Sequence, residues 1–309
     1  MGNLIIRQLL ALCMAGKIGL AMGQNLAYTN EAVRHCENEN WTEALSSIQK
    51  AMNSEETRNA HTWYVDGYIH KELYKRKETG QVHSTMRTRS VESFMKTIEM
   101  DTVGKDIKMA KLGLKYLAST YYNDALMLTQ TFNLSEENEA KNYFDKFCTL
   151  MQIAEPRTGL SRFTKEFDRN MGQRYYQLWL ENLNLTSLPE KIINCYNQVL
   201  QIDTTDSDAW YNISVVYYNQ AVFKYRLLDS KTDMFDLITI QQECSELISK
   251  KALPAMSKAY QLQPEKGEIV RGMMYVNRAL EREKDTEYFK QEVSRLIREG
   301  KIGSINKQP

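Results

Sequence analysis

The chain has 309 residues and little of what breaks a helix, with only 5 prolines and 14 glycines. Both residues weaken helical hydrogen bonding or raise its entropy cost, so their scarcity excludes a turn-rich β fold and favours long helices. Surplus charge is also lacking. Forty Lys and Arg face 39 Asp and Glu, a formal net charge of +1, without the broad basic field that a general nucleic-acid binder needs, so no nucleic acid is expected as partner. The 5 cysteines include no Cys-x-x-Cys pair, and zinc ligands normally come as such pairs, so no metal site is expected. No Gly-x-Ser-x-Gly elbow, phosphate-cradling Gly-x-x-x-x-Gly-Lys-Ser/Thr loop or His-Glu-x-x-His helix occurs. The 4 histidines, His35, His61, His70 and His83, form no nucleophile–base set, and two of them fall where a core residue is expected. The chain is therefore read as not an enzyme, with no catalytic residues and no cofactor.

What is present begins with the N-terminus. Met1 to Arg7 is short and weakly basic, and Leu9 to Gly16 is apolar. Ala21-Met22-Gly23 then places small residues three and one positions before Gln24. This is the layout of a secretory signal peptide spanning 1–23, although Lys17 interrupts the apolar stretch. The run is shorter than the roughly 20 apolar residues of a membrane span, so no integral membrane segment is expected after cleavage. Cleavage removes Arg7 and Lys17 and no acid. Cys36, Cys148, Cys195 and Cys244 remain, each on a helical pattern where Cys behaves as a small buried hydrophobe. An oxidising compartment leaves a disulfide among them open.

Along the rest of the chain a small residue recurs with an aromatic or His three positions on: Ala32/His35, Gly67/His70, Gly113/Tyr116, Gly172/Tyr175, Ser214/Tyr217 and Gly272/Tyr275. The small residue admits a neighbouring helix, and the ring is expected to fill the adjoining space on the same face. A second pattern follows, with small or apolar residues at spacings of four and three. It is clearest in Trp41 to Ala51, Ser90 to Asp101, Ile192 to Asp203 and Ala252 to Pro264. Residues 74–89, from Lys75 to Ser84 above all, have little apolar periodicity and read as an exposed connection; the alternative reading of their basic cluster, Lys75, Arg76, Lys77, Arg87 and Arg89, is a patch that attracts an acidic partner. Met234 to Ile248 is amphipathic and predicts a helix. Pro254 predicts a break or kink near Lys250 to Ala252, with Pro254 in the first turn of a fresh helical segment.

Taken together, Ala209-Trp210-Tyr211-Asn212-Ile213-Ser214, Tyr217, and the later Lys251 to Pro264 resemble a tetratricopeptide repeat, as do Thr62-Trp63-Tyr64 and Gly67 with the helix ending at Asp101. The resemblance covers about residues 26–297. It implies an all-α, right-handed α-solenoid of about six helix pairs with elongated helices, at approximate repeats 24–56, 57–101, 103–155, 157–203, 205–264 and 265–299. A flexible tail over 300–309 follows. The second helix of the final pair fits the repeat poorly.

In this family the first helices of successive pairs line a groove that holds a protein or peptide. Carried over position by position, the groove residues are Tyr64, Val65 and Tyr68, then Ala110 and Leu114, then Tyr211, Asn212 and Val215, with Tyr218 a turn further on. The implied function is a protein–protein interaction scaffold. An exported chain of this style resembles envelope proteins of Gram-negative bacteria, especially of the Bacteroidota kind, which implies the periplasm or cell surface. A structural subunit of a larger secretion or motility assembly is the alternative reading.

Overall fold

The computed structural model describes residues 26–101, 104–226, 228 and 232–303. The expected signal peptide and residues 304–309 of the expected tail lie outside the described residues. Every regular element among the described residues is a helix, and consecutive helices pack as pairs, the construction of a tetratricopeptide-like α-solenoid. The chain divides into two compact units, Met1–Ser119 with Leu150–Pro156, and Thr120–Thr149 with Arg157–Pro309.

The first unit contains α1 (Ala27–Glu37), α2 (Trp41–Met52), a 3-10 turn (Glu55–Arg58), α3 (Ala60–Leu73) prolonged by a π turn (Tyr74–Glu78), α4 (Thr85–Met100) and the start of α5 (Lys105–Thr131). α1 pairs with α2 and α3 with α4. On α2 the residues spaced four and three apart, Ala44, Ile48 and Ala51, have no exposed surface. Phe94 of α4 lies between two glycines. A Cβ at Gly67 of α3 would stand 2.7 Å from its Cδ1, and one at Gly113 of α5 would stand 2.6 Å from its Cζ. The buried Glu56 secures the start of α1, accepting from the backbone N–H groups of Tyr28 (3.0 Å) and Thr29 (2.9 Å) and from Thr29 Oγ1 (2.7 Å). These donors lack intrahelical partners, and a carboxylate there also complements the positive end of the helix.

The second unit takes the end of α5 and the first part of α6 (Glu137–Ala154). It continues with α7 (Ser161–Glu181), α8 (Leu188–Ile202), α9 (Ser207–Arg226), α10 (Met234–Glu246), a π turn (Leu247–Ala252), α11 (Leu253–Leu262), α12 (Gly267–Ala279) and α13 (Glu283–Arg298). α7 pairs with α8, α9 with the π turn and α11, and α12 with α13. Pro254 falls in the first turn of α11, but the backbone stays helical from Glu246 through Leu253, so in place of a break the π turn changes the hydrogen-bond register and lets a residue without an N–H follow. Ser214 Oγ donates to the Ala252 carbonyl at 2.7 Å, so the small residue of this pair also ties α9 to the π turn.

Four sequence expectations are corrected. The connection after α3 is shorter than read, because helical structure runs to Glu78 and resumes at Thr85. The basic residues there are not one patch: Lys75, Arg76 and Lys77 are exposed, Arg87 is buried 5.4 Å from the Tyr74 ring, and Arg89 pairs with Asp66. The last pair is regular, since Phe289, Val293 and Leu296 of α13 keep the same four-and-three spacing and are buried. The ring three positions after the small residue is not always the packing residue. Tyr116 and Tyr275 are exposed, whereas Leu117 and Val276, four positions on, are buried. Either offset keeps a residue on the helix face, and the neighbouring helix decides which one is covered.

Candidate functional site

The sequence-derived groove positions fall in both units. In the first unit, Tyr64 and Tyr68 are half-buried on α3 with ring centroids 6.4 Å apart. Tyr64 also meets His61 (6.0 Å) and Phe94 (6.2 Å), and Tyr68 meets Trp41 of α2 (6.3 Å). The His61 ring is held by Asp106, 3.1 Å from Nδ1. Val65, Ala110 and Leu114 are buried in the core and have no surface to offer a partner. They share the helix face that carries Gly113 and Ile69, which is turned onto neighbouring helices.

The structure adds cations to this ring cluster. Lys71 Nζ lies 4.7 Å from the Tyr68 ring centre, and the Arg76 guanidinium lies 4.3 Å from the Trp41 ring centre, both within cation–π range. Buried Glu72 organises them, accepting from Arg76 Nη1 at 2.7 Å with Lys71 Nζ at 3.1 Å and Lys75 Nζ at 3.5 Å. Burial alone would raise the Glu72 carboxyl, but the Lys71 charge and the bonds from Arg76 and Lys71 hold it below the usual carboxylate range. Its negative charge adds to burial in pushing up the Tyr68 hydroxyl, and the neighbouring Cys36 thiol rises to about 12, chiefly through burial. Tyr68 therefore stays a neutral donor and Cys36 an unreactive thiol. Trp41, Lys71 and Arg76 were not among the sequence-derived site residues. Trp41 opens a second helix, and the reach of Arg76 depends on the π turn that carries the helix past Leu73.

In the second unit, Tyr211, Asn212, Val215 and Tyr218 follow one another along α9, each half-buried. Tyr211, Val215 and Tyr218 pack against the core shared with α12, and a Cβ at Gly272 would lie 3.5 Å from Tyr211 Cε2. Asn212 donates from Nδ2 to the Asp208 carbonyl of its own helix at 2.7 Å. Asn219, one residue beyond Tyr218, donates to the Tyr176 hydroxyl of α7 at 2.7 Å, so α7 and α9 share a polar contact beside this surface.

Nothing in either set assembles a nucleophile with a base. All four described cysteines are free thiols. Among the described residues no group of three or more His, Cys, Asp or Glu could hold a metal ion, and no helix is long and apolar enough to cross a membrane.

No protein-family model matches the chain, and no curated protein sequence matches it. Solved structures with related helix packing include PilW, a type IV pilus biogenesis factor. It is 13% identical, with 87% of this chain and 90% of that chain covered and a TM-score of 0.34. MamA is 14% identical over 79% and 98% of the two chains, with a TM-score of 0.34. A human IFIT1 dimer with m7Gppp-AAAA is 12% identical over 88% and 69%, with a TM-score of 0.33. Identities and TM-scores this low transfer no function to the chain.

Proposed function

We propose that this chain is a non-enzymatic protein–protein interaction scaffold of the cell envelope, exported by its N-terminal segment to the periplasm or surface of a Gram-negative bacterium. It would hold a peptide or protein on the half-exposed faces of its first helices. The observation that carries this reading is the Trp41–Tyr68–Tyr64 ring cluster with Lys71 and Arg76 set over its rings. Rings give large rigid contact area at low entropic cost, and Arg beside Trp and Tyr is the composition of interface hot spots. Because Glu72 already orients the cations, a partner would not have to order them. Tyr211, Asn212 and Tyr218 offer a comparable surface on α9. Mild extraction from the native cells tests the scaffold role: the protein is expected in a stable complex with a defined partner, and an isolated monomer in every extract contradicts it. Export is tested separately by mass spectrometry, with Gln24 as the expected mature N-terminus and an intact Met1 or Gly2 as the contrary result.

One observation favours the structural-subunit alternative. On α10, Met234, Phe235 and Ile238 are 71%, 79% and 55% exposed, an apolar stripe that a larger assembly would cover. In that case α10 substitutions would block assembly, while substitutions at Tyr68 and Arg76 would not.

A further inference from the structure

The second unit contains two neighbouring features that neither the repeat packing nor the scaffold surface uses. One is a cleft of about 480 Å³ between α6 and α8, floored by α7. That volume lies within the ~300–1,000 Å³ range of small-ligand sites. The other is Asp168 of α7, which lines the cleft and is 8% exposed. Its Oδ2 is buried and has no hydrogen-bond partner.

Asp66 of the first unit shows how this chain otherwise accommodates a buried acid. It is 1% exposed and is met by Ser93 Oγ, by Arg89 Nε at 3.0 Å and by His70 Nδ1 at 3.3 Å. Those partners hold its carboxyl below the usual range although burial opposes them. Asp168 has no such partners, and burial alone pushes its carboxyl up to about 6. The cations near it are engaged elsewhere: Lys165 donates to Asp203 at 2.8 Å, Arg169 to Asp206, and Lys141, itself in the cleft lining, lies 3.4 Å from Glu137. A buried carboxylate left unpaired costs several kcal/mol, so the site is built for a donor that the chain does not supply.

The remaining lining specifies the donor. Phe144 and Phe167 lie face to face, centroids 4.2 Å apart and planes 5° from parallel. The exposed Asp145 adds a second carboxylate at the rim, and burial followed by the Asp168 charge holds the Cys195 thiol protonated, with its value pushed up to about 12. An apolar aromatic wall, an unpaired buried carboxylate and a second acid favour a planar cation on an apolar stem, because a guanidinium pairs with a carboxylate through parallel N–H bonds and stacks on rings.

We infer that the α6–α7–α8 cleft is a binding site for an alkylguanidinium group, with Asp168 as its anionic anchor and Phe144 and Phe167 as its apolar wall. The group has two sources, a free guanidine compound or an arginine side chain of a peptide.

The test is a calorimetric or NMR titration of the full chain at pH 7.5 with n-butylguanidinium and with n-butylurea, which has the same shape without the charge. The site predicts at least about tenfold tighter binding of the guanidinium, followed by shifts of the Phe144, Phe167 and Cys195 resonances. In Asp168→Asn, which keeps the side-chain volume, the preference falls to about twofold or less. A capped Ala-Arg-Ala peptide separates the sources: tighter binding than n-butylguanidinium assigns an arginine side chain, and equal or weaker binding assigns a free guanidine. Equal binding of guanidinium and urea, no binding of either, or a preference that survives Asp168→Asn overturns the inference. None of these results bears on the scaffold surface, whose residues lie on α2, α3 and α9.

Discussion

Substituting Gly113 by Ala tests the repeat packing most sharply, because the structure makes opposite predictions for two glycines at equivalent places in the sequence pattern. At Gly113 an added Cβ would stand 2.6 Å from Phe94 Cζ, and Gly67 presses on the other side of that ring with a Cβ position 2.7 Å from Cδ1. Phe94 is 1% exposed and has no vacant side to move into. Overpacking a filled core costs about 1–3 kcal/mol, and a contact this far inside van der Waals distance on a held ring takes the upper part, about 2–3 kcal/mol; replacing a mid-helix glycine by alanine returns about 1 kcal/mol, so Gly113→Ala should destabilise by about 1–2 kcal/mol. At Gly272 the Cβ would meet the thioether end of Met256, 2.6 Å from Sδ, and a methionine end can swing aside. There the propensity gain wins, and Gly272→Ala should be neutral or stabilising by up to about 1 kcal/mol. Urea unfolding followed by far-UV circular dichroism reads both. Adding Phe94→Leu should rescue Gly113→Ala, so that the double substitution costs at least about 1 kcal/mol less than the sum of the singles. A neutral Gly113→Ala, or strict additivity with Phe94→Leu, would refute the argument that these glycines exist to admit a ring.

Two further outcomes follow from buried acids. Between the unfolded value of 3.8 and the folded value of about 6, folded Asp168 holds a proton that the unfolded chain has lost, so its cost to stability grows as pH rises through that window and is complete above it. About two units correspond to at most about 3 kcal/mol. Asp168→Asn should therefore stabilise the protein by about 1–3 kcal/mol at pH 7.5 and by no more than about 0.5 kcal/mol at pH 4, where the facing groups Cys195, Lys141 and Asp145 are the same in both proteins; an equal effect at the two pH values contradicts the assignment. Glu56→Ala should cost about 2–4 kcal/mol and speed amide exchange at Tyr28 and Thr29, because it strips the start of α1 of an acceptor for three donors. Unchanged exchange there would show that Glu56 does not hold that helix end.

The helix pairs were legible because they depend on periodicity: Ala44, Ile48 and Ala51, or Ile192, Cys195, Tyr196 and Val199, mark their buried faces by spacing alone. Helix continuation past Leu73 was not, because a π turn is a change of hydrogen-bond register that composition does not encode. Among the site residues, the family positions located Tyr64, Tyr68, Tyr211 and Tyr218 on half-exposed faces but placed Val65, Ala110 and Leu114 where neighbouring helices cover them. Such burial depends on the angle at which the next helix arrives. Asp168 had a readable mark, an acid inside the buried stripe of Phe167, Met171, Gly172 and Tyr175. Asp66 carries the same mark on α3, and only the structure shows that one acid is paired and the other is not.

The aromatic and cationic surface on α2 and α3 is proposed to bind a partner. Its most direct measurement is recovery of that partner from native cells by the wild-type protein and by Tyr68→Leu/Arg76→Ala, a variant that keeps apolar bulk while removing one ring and one cation. The variant is expected to keep the helical content of the wild type and to lose the partner at least about tenfold. Equal recovery by a folded variant would contradict it.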